Sequence, residues 1–229
     1  NTMPQWAGSS WYYLRYIDPH NNQALIDSSK EKEWMPVDVY VGGDHATRHL
    51  IYARFWHKFL FDIGAVSTEE PFPRLEFLGF ILAEDGRKMS KRWGNIINPD
   101  EMVSRFGADA FRLYEMFIGP FENTVPWNTD GMVGTRRFVE KVWKIFQKVI
   151  EKNSEDNSKI IHKTIKKITE DIEAFKFNTA VSALMICLNE FEKSESVSKD
   201  DFKMFLQILA PFAPHMADEL WEQLGHTET

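Results

Sequence analysis

The sequence predicts an α/β region over residues 1–134 followed by an all-α region over residues 135–229. Three observations carry that division. Val37-Asp38-Val39-Tyr40-Val41 alternates and is rich in β-branched residues, and it runs through Gly42-Gly43 into a helical pattern. Leu75-Glu76-Phe77-Leu78-Gly79-Phe80-Ile81-Leu82 is an apolar run of strand length, closed by the turn Glu84-Asp85-Gly86. From Gly134 onward, apolar residues recur at helical spacing (Phe138, Val142, Ile145, Phe146, Val149) with lysines on the other side. Apolar residues make up 43% of the 229-residue chain, enough for a substantial core and too many for general disorder.

Taken in order, Trp6-Ala7-Gly8-Ser9-Ser10-Trp11-Tyr12 is a small-residue turn between aromatics, read as the entry to a helix capped by Ser9 or Ser10. Residues 18 to 36 are polar and read as a surface connection. After the strand at Val37–Val41, Gly42-Gly43 lets the backbone approach a ligand, and Asp44 reads as the cap of a helix carrying His45 and His49 at i, i+4. A zinc site would need a third or fourth ligand, and none lies nearby in sequence, so no metal is expected. A strand, a glycine turn and a polar helix start suit a nucleotide better.

The stretch Arg87-Lys88-Met89-Ser90-Lys91-Arg92 places four cations in a loop between the apolar run and a helix start at Asn98-Pro99-Asp100-Glu101. Two ammonium groups three residues apart can grip a polyphosphate and follow its charge as it redistributes. Taken alone, such a spacing is more often a solvated basic turn. Further on, Gly107 ends one helix and starts another. Asn178 reads as the cap of the apolar helix that contains Cys187. That single cysteine reads as a core residue and points to a reducing, cytoplasmic setting. Pro211 and Pro214 interrupt the last helical stretch.

Charge is unevenly spread. Residues 1–134 hold 13 basic and 18 acidic residues, residues 135–170 hold 10 and 5, and residues 171–229 hold 4 and 11. A basic segment between acidic ones suits local contact with phosphates, with Arg136, Lys141, Lys144 and Lys148 as the candidate contacts. A solvated helix face explains the charges equally well.

Several blocks resemble one family. Lys88-Met89-Ser90-Lys91 matches the KMSKS motif of class I aminoacyl-tRNA synthetases, with Arg92 where Ser is usual. Met3-Pro4-Gln5-Trp6-Ala7-Gly8-Ser9-Ser10-Trp11-Tyr12 and Gly42-Gly43-Asp44-His45-Ala46-Thr47-Arg48-His49 are similar to segments of bacterial-type leucyl-tRNA synthetases, the second one residue shorter than usual. Leu209-Ala210-Pro211-Phe212-Ala213-Pro214-His215 followed by Glu219-Leu220-Trp221 resembles the anticodon-binding helical bundle shared by the leucyl, isoleucyl, valyl and methionyl enzymes.

The resemblance implies the C-terminal half of a class I synthetase Rossmann-type catalytic domain, then an α-helical anticodon-binding bundle. It implies ATP, with Mg2+ in the full-length enzyme, together with leucine and tRNA(Leu) as ligands of a monomer. By the same resemblance, Lys88 and Lys91 are catalytic, and Gly42, Gly43, Asp44, His45, His49, Met89 and Ser90 join them at ATP or the adenylate. Trp6, Ser9 and Tyr12 would wall the leucine pocket. The chain opens on Asn1 and shows no HIGH-like motif or editing insertion. It therefore reads as a fragment not expected to aminoacylate alone. A valyl or isoleucyl synthetase, or a non-catalytic tRNA-binding paralogue, stays open as an alternative.

Overall fold

The computed structural model describes residues 7–43, 45–151 and 157–226. Packing divides the chain into two units, Asn1–Gly79 and Phe80–Thr229, each with its own core. In the first unit a 3-10 turn, Gly8–Ser10, leads into helix α1 (Tyr12–Ile17), whose N-cap position falls on Trp11 and not on Ser9 or Ser10. The polar stretch expected as a connection contains helix α2 (Ser28–Trp34), which Asp27 caps by accepting from the N–H groups of Ser29 and Lys30. Its sequence hides the helix because its one buried residue is an acid: Glu31 accepts from the backbone N–H and hydroxyl of Ser67.

Strand β1 (Tyr40–Gly42) covers only the end of the expected strand, helix α3 (His49–Asp62) follows, and strand β2 (Leu75–Phe77) pairs parallel with β1. A parallel pair requires a crossover, and α3 supplies it. Tyr13, Leu14, Ile26, Met35, Ala53, Leu60 and Val66 form the core of this unit.

In the second unit, strand β3 (Ile81–Leu82) pairs parallel with β4 (Val125–Pro126). The apolar run 75–82, expected as one strand, is thus two short strands, and Gly79 closes the first unit between them. Helix α4 (Pro99–Phe106) starts as the sequence predicts, with Asn98 Oδ1 accepting from the Asp100 N–H at 3.0 Å. Gly107, at φ +87°, separates α4 from α5 (Ala108–Phe117), a conformation that side-chain-bearing residues rarely adopt.

Helix α6 (Thr129–Phe146) runs unbroken through residues 134 and 135. Strand β5 (Val149–Ile150), α7 (Ser158–Glu173), α8 (Phe177–Lys193), β6 (Val197–Ser198), α9 (Lys199–Leu209) and α10 (Pro214–Gln223) complete the bundle. Helix α8 begins one residue before the expected Asn178 cap; Lys176 takes the cap position, next to Phe175 at φ +55°. The ring of Phe175 packs against Phe121 and Phe177, which fixes this conformation by aromatic contact instead of a polar cap. The bundle core includes Leu113, Val142, Ile161, Leu184, Phe191, Phe205 and Leu220. Cys187 is fully buried there, and burial pushes its thiol up to about 12, so it is an inert core residue.

Candidate functional site

The basic loop lies in the second unit between β3 and α4, and its shape comes from short-range polar contacts. Asp85 accepts from the Arg87 N–H at 2.9 Å and from its guanidinium at 2.9 and 2.6 Å, and the Asn95 amide approaches it at 3.4 Å. The Arg87 contact holds the Asp85 carboxyl below its ordinary range. Ser90 anchors the next bend: its N–H donates to Asn95 Oδ1 at 2.9 Å, and its hydroxyl accepts from the Arg92 N–H at 3.2 Å. Glu84, just before the turn, accepts from the N–H and hydroxyl of Thr129 at the start of α6, which lowers its pKa.

Met89 points inward and packs on a small core of Met102, Tyr114, Trp127 and Met132. The cations are divided by this geometry. Arg87 is tied to Asp85 and lies over Trp93 at 4.9 Å. Lys88 lies over the Phe80 ring at 4.4 Å, a contact that positions the ammonium. Lys91 is exposed, and among the described residues no carboxylate pairs with it. The result is one positioned and one free ammonium on a loop whose base is pinned. Sequence reasoning missed Glu84 and Asp85 as supports; an Asp two residues before Arg, in an Asp-Gly turn, was the available signal.

The second cluster lies in the first unit. Tyr40, at the start of β1, stacks on His49 with ring centroids 5.5 Å apart and donates to His49 Nδ1 at 3.1 Å. His49 Nε2 sits 2.6 Å from the Ser9 carbonyl, which can only accept, so in the neutral ring Nε2 carries the proton. His49 is therefore buried with both nitrogens engaged, and it holds the Ser9 turn against β1. His45 is not on the helix, as the spacing had implied. It lies in the turn before α3, with its N–H donating to the Gly43 carbonyl, and its exposed ring meets His49 edge-on at 6.1 Å.

Gly42 lets the rings of Tyr40 and His45 approach the backbone closely. A Cβ on it would stand 2.9 Å from His45 Cδ2 and 3.0 Å from Tyr40 Cε1. Tyr12 is half-buried with its ring 5.7 Å from His49, so Ser9, Tyr12, Tyr40, His45 and His49 form one cluster. Trp6 and Asp44, the other residues expected at these sites, lie outside the described residues. Among the described residues, no three His, Cys, Asp or Glu side chains are grouped to hold a metal ion.

The four candidate phosphate contacts on α6 and just after it behave differently from one another. Arg136 donates to Glu140 at 2.8 Å and to the Phe106 carbonyl at 3.2 Å. Lys141 donates to Asn189 and Glu192 at 2.9 and 2.7 Å. Lys148 closes the end of α8, donating to the Glu192 and Ser194 carbonyls at 2.9 Å each. Lys144 is exposed and has no such partner among the described residues. Among those residues, no helix is long and apolar enough to cross a membrane.

Known proteins resemble this chain over its whole length. The model of class I tRNA synthetases for isoleucine, leucine, methionine and valine matches residues 19–128, and the anticodon-binding domain of tRNA ligases matches residues 158–229. Leucine–tRNA ligases from two strains of Leptospira biflexa serovar Patoc are each 55% identical across the entire chain, which spans 28% of their length. The LeuRS of Agrobacterium radiobacter K84, solved as a ternary complex with tRNA and LeuAMS, aligns at a TM-score of 0.86 and 37% identity, covering 96% of this chain and 31% of that one. The methionyl-tRNA synthetase of Mycobacterium tuberculosis, solved with methionyl-adenylate, shares the fold at a TM-score of 0.67, 20% identity, 97% of this chain and 50% of its own.

Proposed function

Because the chain belongs to the class I tRNA synthetases, in their leucine–tRNA ligase branch, we propose that it supplies the KMSKS-type loop and the anticodon-binding helices of an enzyme that activates leucine with ATP and charges tRNA(Leu). In this reading, residues 1–134 belong to the catalytic domain and residues 135–229 to the helical one. The leucine carboxylate attacks the α-phosphate of ATP, displaces pyrophosphate and forms leucyl-adenylate. A ribose hydroxyl at the tRNA 3′ end then takes the leucyl group as the acyl–phosphate bond breaks and AMP leaves, and no covalent enzyme intermediate is needed. Mg2+ carried in with ATP would offset part of its phosphate charge.

The residues of this chain position the reactants and balance charge. Trp6, Ser9 and Tyr12 wall the leucine side chain, and His49 fixes the Ser9 turn. Gly42 and Gly43 let the backbone approach the adenylate, with Asp44 and the exposed ring of His45 at its edge. Lys88 and Lys91 meet the departing pyrophosphate, while Met89 and Ser90 hold the loop. Lys144 is the open cation for tRNA phosphates on α6, and Arg136, Lys141 and Lys148 flank it. Burial of the single cysteine suits a cytoplasmic protein, and the full-length enzyme acts as a monomer.

The observation that carries this reading is Lys91, an exposed ammonium that no carboxylate pairs with among the described residues, on a loop pinned by Asp85, Ser90 and Met89. Its charge can act where phosphate charge develops. In the full-length enzyme, Lys91→Ala should therefore slow leucine-dependent pyrophosphate exchange about a hundredfold, roughly 3 kcal/mol, with leucine affinity little changed. A variant within about twofold of the parent rate would overturn the assignment.

A further inference from the structure

The bonds that Asp85 and Ser90 make shape the basic loop from within, since their partners lie no more than ten residues away. Glu84 is different, because its partner Thr129 is 45 residues away, at the first residue of α6. Both bonds from Thr129 end on one oxygen of Glu84, Oε1, the hydroxyl donating at 2.7 Å and the backbone N–H at 3.2 Å. The same hydroxyl accepts from the Trp127 indole N–H at 2.9 Å. Indole, hydroxyl and carboxylate thus form a chain in which each bond polarises the next.

Both ends of this chain are held. Trp127 and Tyr114 are buried and meet edge to face at 4.9 Å, and the Tyr114 hydroxyl accepts from the Asn128 N–H at 2.9 Å. Met89 of the loop packs on the same small core. Beyond Thr129, α6 runs into the bundle, whose core takes in its Phe138, Val142 and Ile145. On the loop side, Glu84 lies inside a closed turn. The Ala83 N–H donates to the Arg87 carbonyl at 2.8 Å, and the Gly86 N–H donates to the Ala83 carbonyl at 2.9 Å. Holding Glu84 therefore holds Arg87, and with it the backbone that carries Lys88.

We propose that Glu84 is a positioning residue for leucine activation: its bonds from Thr129 fix the loop against α6, so that Lys88 and Lys91 stand where charge develops on the departing pyrophosphate. Glu84 touches no reactant and acts through the two lysines. Placement decides the rate here, because a displacement of about 1 Å in a charge-stabilising group can cost up to a hundredfold. The joint needs an acceptor oxygen at Oε1 more than it needs a negative charge, since both bonds end there. This inference rests on the leucine-activating function proposed above.

The test is leucine-dependent pyrophosphate exchange by the full-length enzyme. Glu84→Ala should lower kcat about tenfold while the leucine KM stays within about twofold of the parent, which also shows that the variant is folded. Glu84→Gln keeps an oxygen at Oε1 and should return kcat to within about threefold of the parent. Thr129→Val loses the hydroxyl but keeps the N–H and should lower kcat about threefold, and Thr129→Ser, which keeps both donors, should reverse that loss. In a Lys91→Ala background, Glu84→Ala should cost about threefold or less, because an ammonium it places is already gone. The proposal is overturned if Glu84→Ala runs within about twofold of the parent, if its leucine KM rises as kcat falls, or if its full cost persists without Lys91. It is equally overturned if Glu84→Gln is as slow as Glu84→Ala, which would give the charge a direct role. A parent enzyme without leucine-dependent exchange, or Lys91→Ala at the parent rate, would overturn the functional reading instead.

Discussion

Asp109 joins two segments far apart in sequence, and its removal should have a measurable cost. It sits in the first turn of α5 and is 7% exposed. Its two oxygens accept from the N–H groups of His215 and Met216, at 3.3 and 2.7 Å, in the first turn of α10. The carboxylate thus caps α10 from outside, in place of Ala213, whose side chain cannot accept a hydrogen bond.

The short bond to a charged acceptor is worth about 1.5–3 kcal/mol, and the negative charge at the positive helix end adds about 0.3–1 kcal/mol. The long bond adds less, and losing a mostly buried charge returns some desolvation energy. Asp109→Ala should therefore cost about 2–3 kcal/mol, and Asp109→Asn, which keeps one acceptor, about half of that. On the scale usual for chains of this size, the alanine variant should melt about 5–10 °C lower. Urea unfolding followed by helical circular dichroism measures both variants, and the slope with denaturant should be unchanged. An alanine variant within about 0.5 kcal/mol of the parent would refute the capping argument.

Two other outcomes follow from the first unit. Burial holds the His57 imidazole below its ordinary 6.5, and Thr68, Glu31 and Glu70 only partly oppose this while Lys58 reinforces it. The folded ring is neutral and accepts from the Tyr13 hydroxyl at Nδ1. Unfolding then takes up a proton below pH 6.5, so stability should be steady above that value. It should fall as pH drops from 6.5 through the lowered folded pKa, and His57→Gln should flatten that fall in urea titrations at several pH values. Helix α3 exposes Ile51, Phe55 and Phe59 at four-residue spacing, and Ile63 just past its end is exposed too, with Phe55 75% exposed. The 229-residue chain alone should therefore self-associate, and Phe55→Lys/Phe59→Lys should reduce this in sedimentation velocity; a parent that stays monomeric at about 100 μM would contradict it.

Some of this molecule is written locally in the sequence. The turn at Glu84-Asp85-Gly86, the Asn98 cap, the Gly107 break and the loop carrying Lys88 and Lys91 all depend on bonds within a few residues, and all are found where the pattern placed them. The helical second half is equally legible, because a 3.6-residue apolar period has one stable use. Helix α2 escaped that reading because the residue it buries is Glu31, whose partner Ser67 lies 36 residues away.

Tertiary structure alone decided how each charged group is used. Lys141 and Lys148 look like Lys159 and Lys163 in sequence, yet the end of α8 supplies Glu192 and two carbonyls to the first pair and an open groove to the second. Asp109 caps a helix 106 residues away. His49, which the spacing offered as a ligand-facing ring, is buried with both nitrogens engaged by Tyr40 and Ser9. A side chain's type states what bonds it can make, but only packing determines which partner reaches it first, and so which cations and rings remain for a ligand.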